Sequence, residues 1–344
     1  MRYYKHKSLN VNGIFFLKKG VDSIFNKGYS SPMPTINDIF DDAIGQESVK
    51  RTLSIYIDAY KKTDRLPFIN LTTGKGGGKT YFARLFREAL QRKNGKKPPM
   101  LEVNGKTIKN ATSFFEQVYP VWVEHGAFLF IDEGHNLPND LQQIFLSVLN
   151  VDKNPVRTVE HEGVPYTFDF RNLTFCMATT DQQKLAEPLR DRLRDVAFEE
   201  YKENELYDIF HDNLEYATDI DNTAKEDIVS SFRGNPRDAV VKAEDLKIYV
   251  SARDVKKVTK EIWGEFCDAM GVKQFGLTAS EIAIVRALGK RGAMTLTGIA
   301  SVTGLQRGAI QKDYEGMLVK KNLMKIDTKR ELTRKGLDLA KRLT

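Results

Sequence analysis

The sequence predicts an α/β chain: a parallel sheet covered by helices on both faces, then a small all-helical domain and a C-terminal winged helix. Three observations lead there. Short apolar segments with no polar face alternate with helix-period patterns up to about residue 200, and strands buried on both faces read as continuous apolar runs. After Tyr201 the strand character stops and helical patterns follow one another. Residues 276–344 then read as helix, helix–turn–helix and a short two-stranded ribbon, the order of a winged helix. The expected domains are 1–34, a basic extension; 35–200, the sheet domain; 201–275, the helical domain; and 276–344, the winged helix.

Residues 1–34 carry scattered glycines and a Ser-Ser-Pro-Met-Pro stretch, which leaves room for at most one hairpin around Val11–Leu17. Gln46–Lys61 sets Val49, Leu53, Ile57 and Tyr60 on one helical face. Phe68–Thr73 is a short apolar strand, and a helix runs from Lys79 to about Gln91. Met100–Val103 is a second strand, Phe114–Glu124 a helix and Ala127–Ile131 a fully apolar strand. Leu141–Leu149 is helical and Leu173–Ala178 a further buried strand. Between these two, Val156–Phe170 alternates around a Glu162-Gly163 turn, which predicts a hairpin projecting from the sheet domain. Helices are expected at about 203–217, 223–232, 236–250 and 253–269, with Trp263 and Phe266 in their core and a joint at Gly271–Gly276. Thr278 and Glu281 form a capping box for a helix through Leu288. Helices at Leu296–Val302 and Arg307–Asn322 follow, then the ribbon Leu323–Leu332.

Among 344 residues, 41% are hydrophobic and 29% charged, as in chains that bury ordinary cores. No apolar run is long enough to span a membrane, and the first residues lack a signal-peptide pattern. Two cysteines, Cys176 and Cys267, sit in apolar patterns and read as buried thiols in a cytoplasmic chain. The five histidines show no ligand spacing. Charge is unevenly placed. Residues 276–344 hold 14 Lys+Arg against 6 Asp+Glu, residues 1–34 hold 6 against 1, and the middle is acidic within a net +7. Basic ends on an acidic body suit nucleic acid.

Two motifs carry chemistry. Thr73-Gly74-Lys75-Gly76-Gly77-Gly78-Lys79-Thr80 lies between a strand and a helix, where glycine amides and a helix N-terminus cradle phosphate. Lys79 is placed for the β- and γ-phosphates of ATP and the Thr80 hydroxyl for Mg2+. The pattern usually opens with glycine; here Thr73 stands there. Ile131 closes an apolar strand that presents Asp132 and Glu133. Asp132 is the expected magnesium ligand, directly or through water, and Glu133 the base that polarises the attacking water.

Together these motifs resemble the AAA+ ATPases, and within them the branch containing the bacterial Holliday-junction branch-migration motor RuvB, over roughly residues 36–344. The resemblance implies further roles. Phe40–Gln46 is similar to the segment packing on adenine, with Ile44 and Gly45 as contacts. Ala178-Thr-Thr180 is similar to the first sensor, with Thr180 favoured and Thr179 next. Glu187-Pro-Leu-Arg-Asp-Arg192 resembles the arginine-finger segment, so that Arg192, with Arg190 in support, would complete the ATP of a neighbouring subunit. Gly234-Asn-Pro-Arg237 resembles the second sensor, with Arg237 turned to the γ-phosphate of its own subunit. Met33-Pro34 replaces the usual Arg-Pro, and Leu193-Arg194 the usual Phe-Gly.

The resemblance implies an ATP-hydrolysing ring, a hexamer by preference, that moves on duplex or junction DNA. Basic residues of the third helix (Arg307, Lys312, Lys320, Lys321) and the wing (Lys325, Lys329, Arg330) suit phosphate contacts. Arg307, Lys312, Lys329 and Arg330 are the leading DNA candidates, and Arg330 the first of them. The 156–170 hairpin and residues 1–34 are the expected docking points for a junction-binding or replication protein. Two alternatives stand beside this reading: a loader or remodeller of a replication protein with the winged helix as adaptor, and a sequence-specific regulator using ATP as a switch.

Overall fold

The computed structural model describes residues 36–150, 154–214 and 218–343. The hairpin expected near Val11–Leu17 lies outside them. The chain divides into two compact units, one ending at Asn213 and including Asn235–Val240, the other formed by Leu214–Gly234 and Val241–Thr344.

The first unit is built on helix α1 (Glu47–Thr63), strand β1 (Ile69–Thr72), α2 (Lys79–Ala89), β2 (Met100–Asn104), α3 (Ala111–Gln117), α4 (Tyr119–His125), β3 (Phe128–Asp132) and α5 (Asn139–Val148). It continues through β4 (Val156–His161), β5 (Val164–Asp169), β6 (Thr174–Thr179), α6 (Glu187–Arg190), β7 (Arg194–Ala197) and α7 (Glu203–Asn213). The sheet order is β2-β3-β6-β1-β7, and every pairing in it is parallel. Residues of β3 alternate between two cores. Leu129 and Ile131 join the core of α3, α4 and α5, whereas Phe128 and Phe130 join that of α1 and α2. Each fully buried phenylalanine contributes about 2–3 kcal/mol. All of β1 and β6 is buried, which holds the strand ends rigid where the functional loops begin.

Three elements depart from expectation. The helix expected over Phe114–Glu124 is two, broken at Val118 with Pro120 in the first turn of α4; proline lacks the amide an uninterrupted helix needs there. Strand β7 is additional. Only Val196 of its four residues is buried, so it offers no apolar run to read. The hairpin β4–β5 does not simply project. Tyr166 stacks on Phe115 at 3.9 Å, and the Tyr119 hydroxyl donates to the Thr167 carbonyl at 2.8 Å. Its turn is tied down too, Glu162 accepting from the Thr112 hydroxyl at 3.1 Å, while Val164 beside it is 48% exposed.

The second unit holds α8 (Asn222–Ser230), most of α9 (Pro236–Ala252) and α10 (Lys260–Met270), with Trp263 and Phe266 buried as expected. Strand character does not vanish here: β8 (Asp219–Ile220) pairs in parallel with β9 (Lys257–Val258). Cys176 is buried, but Cys267 on α10 is only half-buried. Helix α11 (Ala279–Arg291) opens on the Thr278–Glu281 capping box. Glu281, 0% exposed, also receives both Nη atoms of Arg233 at 2.8 and 2.9 Å. Helix α12 (Leu296–Thr303), a helical segment over 307–320 with a π turn at Ile310–Tyr314, and the antiparallel ribbon β10 (Met324–Ile326) and β11 (Arg330–Leu332) follow. A closing helix at Arg334–Leu343 was not foreseen.

Candidate nucleotide site

The loop after β1 and the helix it opens form one side of a polar cavity of about 330 Å³, lined by Lys75–Tyr81, Arg84, Asp132, Glu133, Pro236 and Arg237. All of these lie in the first unit. Gly78 precedes α2 with φ 94°, a left-handed geometry that glycine adopts at little cost. Thr73 does not disturb the loop, because its side chain occupies the space a Cβ on Gly77 would need, 2.5 Å away. Gly76 is as tight, since a Cβ there would meet the Asn235 Oδ1 at 2.8 Å and the Arg237 Cβ at 3.3 Å. Asn235 and Arg237 therefore stand directly against the phosphate loop.

Lys79 is 6% exposed, and its Nζ donates to the carbonyls of Thr73 at 3.1 Å and Gly74 at 3.3 Å. Burial pulls its pKa below the usual lysine value; Asp132 and Glu133 oppose this, and Arg237 adds to it. Burial likewise pushes the Tyr81 phenol up to about 12. The Thr80 hydroxyl donates to Asp132 Oδ2 at 3.0 Å, and Asp132 Oδ1 accepts from the Glu133 amide at 2.8 Å. Two hard oxygen donors thus meet at the end of the loop. That set suits Mg2+, which takes one or two protein oxygens and fills its octahedron with phosphate oxygens and water.

Glu133 sits at φ 52°, a strained conformation for a non-glycine residue. Its Oε2 accepts from the Thr180 hydroxyl at 3.3 Å, and His135 Nε2 lies 3.3 Å from the same oxygen. His135 Nδ1 in turn lies 3.0 Å from the Oγ1 of buried Thr179. Both threonines at the end of β6 are therefore tied to Glu133, Thr180 directly and Thr179 through His135. Sequence reasoning missed His135; its signal was a histidine two residues beyond the acid pair, on the turn Gly134–Asn136.

Not every expected residue converges here. Ile44 and Gly45 do not line the cavity. Ile44 is buried, and the next residue, Gln46, clamps the backbone of Glu199 with two hydrogen bonds of 2.8 and 2.9 Å. Arg192 lines a different cavity, with Arg65, Arg157 and Arg194. Arg330 calls for correction as the leading DNA candidate. It is not a free tip: its side chain, 13% exposed, is bonded to Glu315 at 2.7 and 3.3 Å, and its backbone pairs with Met294. Arg307, Lys312 and Lys329 are exposed.

A parallel sheet of this order, a glycine loop ending in Lys79-Thr80, and an acid pair on the neighbouring strand end define a P-loop ATPase of the AAA+ class. Residues 36–197 match the family described as the Holliday junction DNA helicase RuvB P-loop domain. The RuvB subunit of the Holliday junction branch migration complex of Acholeplasma laidlawii is 27% identical over 293 residues, 82% of this chain and 83% of that protein. Its counterpart from Fervidobacterium nodosum is 29% identical over 292 residues, 80% of this chain and 79% of that protein. In fold, the solved Thermotoga maritima RuvB branch migration motor matches with a TM-score of 0.69 at 22% identity, covering 90% of this chain and 97% of that one. By these likenesses the chain resembles a divergent RuvB-like AAA+ ATPase, the family match itself covering residues 36–197.

Proposed function

We propose that this protein is a ring-forming motor that hydrolyses ATP with Mg2+ to drive branch migration of Holliday junctions or related movement of duplex DNA. The observation that carries the reading is the joined set Lys79, Thr80, Asp132, Glu133 and Thr180, with Arg237 in the same cavity. The curated relatives, named as branch migration subunits over four-fifths of the chain, supply the substrate class.

In this mechanism the loop amides and Lys79 hold the β- and γ-phosphates, while Thr80 and Asp132 hold the magnesium ion, which neutralises phosphate charge when bound. Glu133 orients the attacking water and Thr180 fixes the carboxylate that does so. Arg237, on the first turn of α9 beside the loop, senses the γ-phosphate. Arg192, which does not line its own chain's cavity, serves the nucleotide of the next subunit, with Arg190 adjacent. Ile44 and Gly45 border the adenine end. Arg307, Lys312 and Lys329 contact DNA phosphates. The exposed hairpin tip and residues 1–34 engage a junction-binding or replication protein. The ring is a hexamer acting in the cytoplasm, and the four domains are those set out from the sequence.

The test is ATP turnover with and without four-way junction DNA, together with a gel assay of junction resolution into arms. Turnover and junction movement should both appear in the wild type. Glu133→Gln should bind ATP normally and lose turnover by about a hundredfold or more. A wild-type protein that hydrolyses ATP only with an added replication protein, and moves no junction, would point to a loader instead.

A further inference from the structure

Four arginines converge on a cavity that the chain's own nucleotide chemistry does not use. Arg65, Arg157, Arg192 and Arg194 line a space of about 180 Å³ with Asn150 and Asn154, and no described carboxylate is among its walls. They come from four separate places in the fold. Arg65 precedes β1, Arg194 opens β7 and pairs across to Ile69, Arg157 stands on hairpin strand β4, and Arg192 follows α6. None of them lines the cavity around Lys79.

Like charges brought together by tertiary structure repel, and buried donors without acceptors carry a cost that calls for an explanation. Arg192 shows that cost. Its Nη1 donates to the Pro188 carbonyl at 2.5 Å, while its Nε is buried with no partner. Asp169, which feels the charge of Arg65, is engaged mainly by Arg171. The cavity is smaller than the 300 Å³ or so at which ordinary small-molecule sites begin, and fits an oxyanion. Guanidinium forks are the donors of choice for phosphate.

We propose that this cavity takes the terminal phosphates of the ATP held by a second copy of the chain, with Arg157, Arg65 and Arg194 sharing that task with Arg192. The inference rests on the ring-motor reading and extends it: the trans contribution is a cluster and not a single finger. Because Arg157 belongs to the hairpin, the hairpin base registers whether the neighbouring site is loaded.

The experiment uses the full chain with saturating ATP, Mg2+ and junction DNA. Arg157→Gln should lower kcat about tenfold, as loss of one charged donor to a transition state does, with ATP binding in its own site unchanged. Arg157→Lys should recover part of that loss. Arg157→Gln is then mixed in equal amounts with Lys79→Ala, which has no usable site of its own but intact arginines. In a random ring about a quarter of the interfaces join an intact site to intact arginines. Activity should therefore rise to about a quarter of wild type, where a defect confined to its own site would leave about a twentieth. Mixing Arg192→Ala with Lys79→Ala is the control. If the control recovers and the Arg157 mixture does not, the cluster is wrong and the ring stands. If the control also fails, the ring itself is wrong. A variant with unchanged kcat but weaker, less salt-dependent duplex binding assigns the cavity to nucleic-acid phosphate and overturns the proposal.

Discussion

At the scale of single residues, the phosphate loop and the acid pair were legible because each has a fixed spacing and a fixed setting between strand and helix. His135 was not. Its position depends on a turn that folds back against β6 so closely that a Cβ on Gly134 would lie 2.4 Å from the side chain of Met177, and no local pattern announces that. With Thr180, His135 fixes the Glu133 carboxylate, so its loss should act on turnover and not on binding. His135→Ala is expected to lower kcat about tenfold at unchanged ATP affinity, measured by steady-state turnover beside equilibrium nucleotide binding. Equal changes in both would give His135 a purely structural role. The cysteines make a second, chemical prediction. Burial is the main cause holding the Cys267 thiol up at about 11, against 9.0 for an exposed one. The thiolate is the reactive form, and a raised pKa makes it scarcer below that pH. At pH 8 alkylation of Cys267 should be about a hundredfold slower than in the unfolded chain and should quicken about tenfold per pH unit. Fast native labelling at pH 8 would contradict the burial.

At the scale of elements, what the sequence conveyed was the buried interior. Strands β1 and β6 are buried throughout and β3 as far as Ile131, and the predicted face of α1 is the buried one. What it concealed were short or edge elements stabilised from outside themselves. Strand β7 is held by its partner β1, β8 and β9 are two residues each, and the helix at Arg334–Leu343 seats Gly336 so tightly that a Cβ would fall 2.0 Å from the Leu323 carbonyl. The wing shows how charge alone misleads. Arg330 looked like a tip cation, yet it is bonded to Glu315, whose side chain is 8% exposed. Removing the arginine leaves a buried carboxylate without its donor, which costs about 2 kcal/mol. Arg330→Ala should therefore lower the midpoint of chemical denaturation, whereas Lys329→Ala should leave it unchanged and reduce the salt slope of duplex binding by about one. A stable Arg330→Ala protein with impaired DNA binding would restore Arg330 to the interface.

At the scale of the whole molecule, the basic C-terminal end was readable from counting charges, and the AAA+ class from two motifs. The route by which separate chains would complete one another's sites was not, because it depends on where Arg192 ends up. Arg192 lines the four-arginine cavity and not the one around Lys79. On the ring-motor reading a single chain would hold phosphates with Lys79 and Arg237 but would lack the arginine charge that stabilises the transition state, an effect of about 10³ or more in other nucleotide hydrolases. Activity per chain must then depend on association. Diluting the protein through the range where sedimentation shows rings giving way to monomers should lower turnover per chain by about tenfold or more. Arg192→Ala should start low and stay level over the same range, since its neighbours have nothing to withdraw. Concentration dependence and its loss in one variant are a joint signature that instability does not mimic, because an unstable chain loses activity on dilution whether or not its arginine is present. Turnover per chain that stays constant from ring to monomer in the wild type would return the whole of the chemistry to one chain.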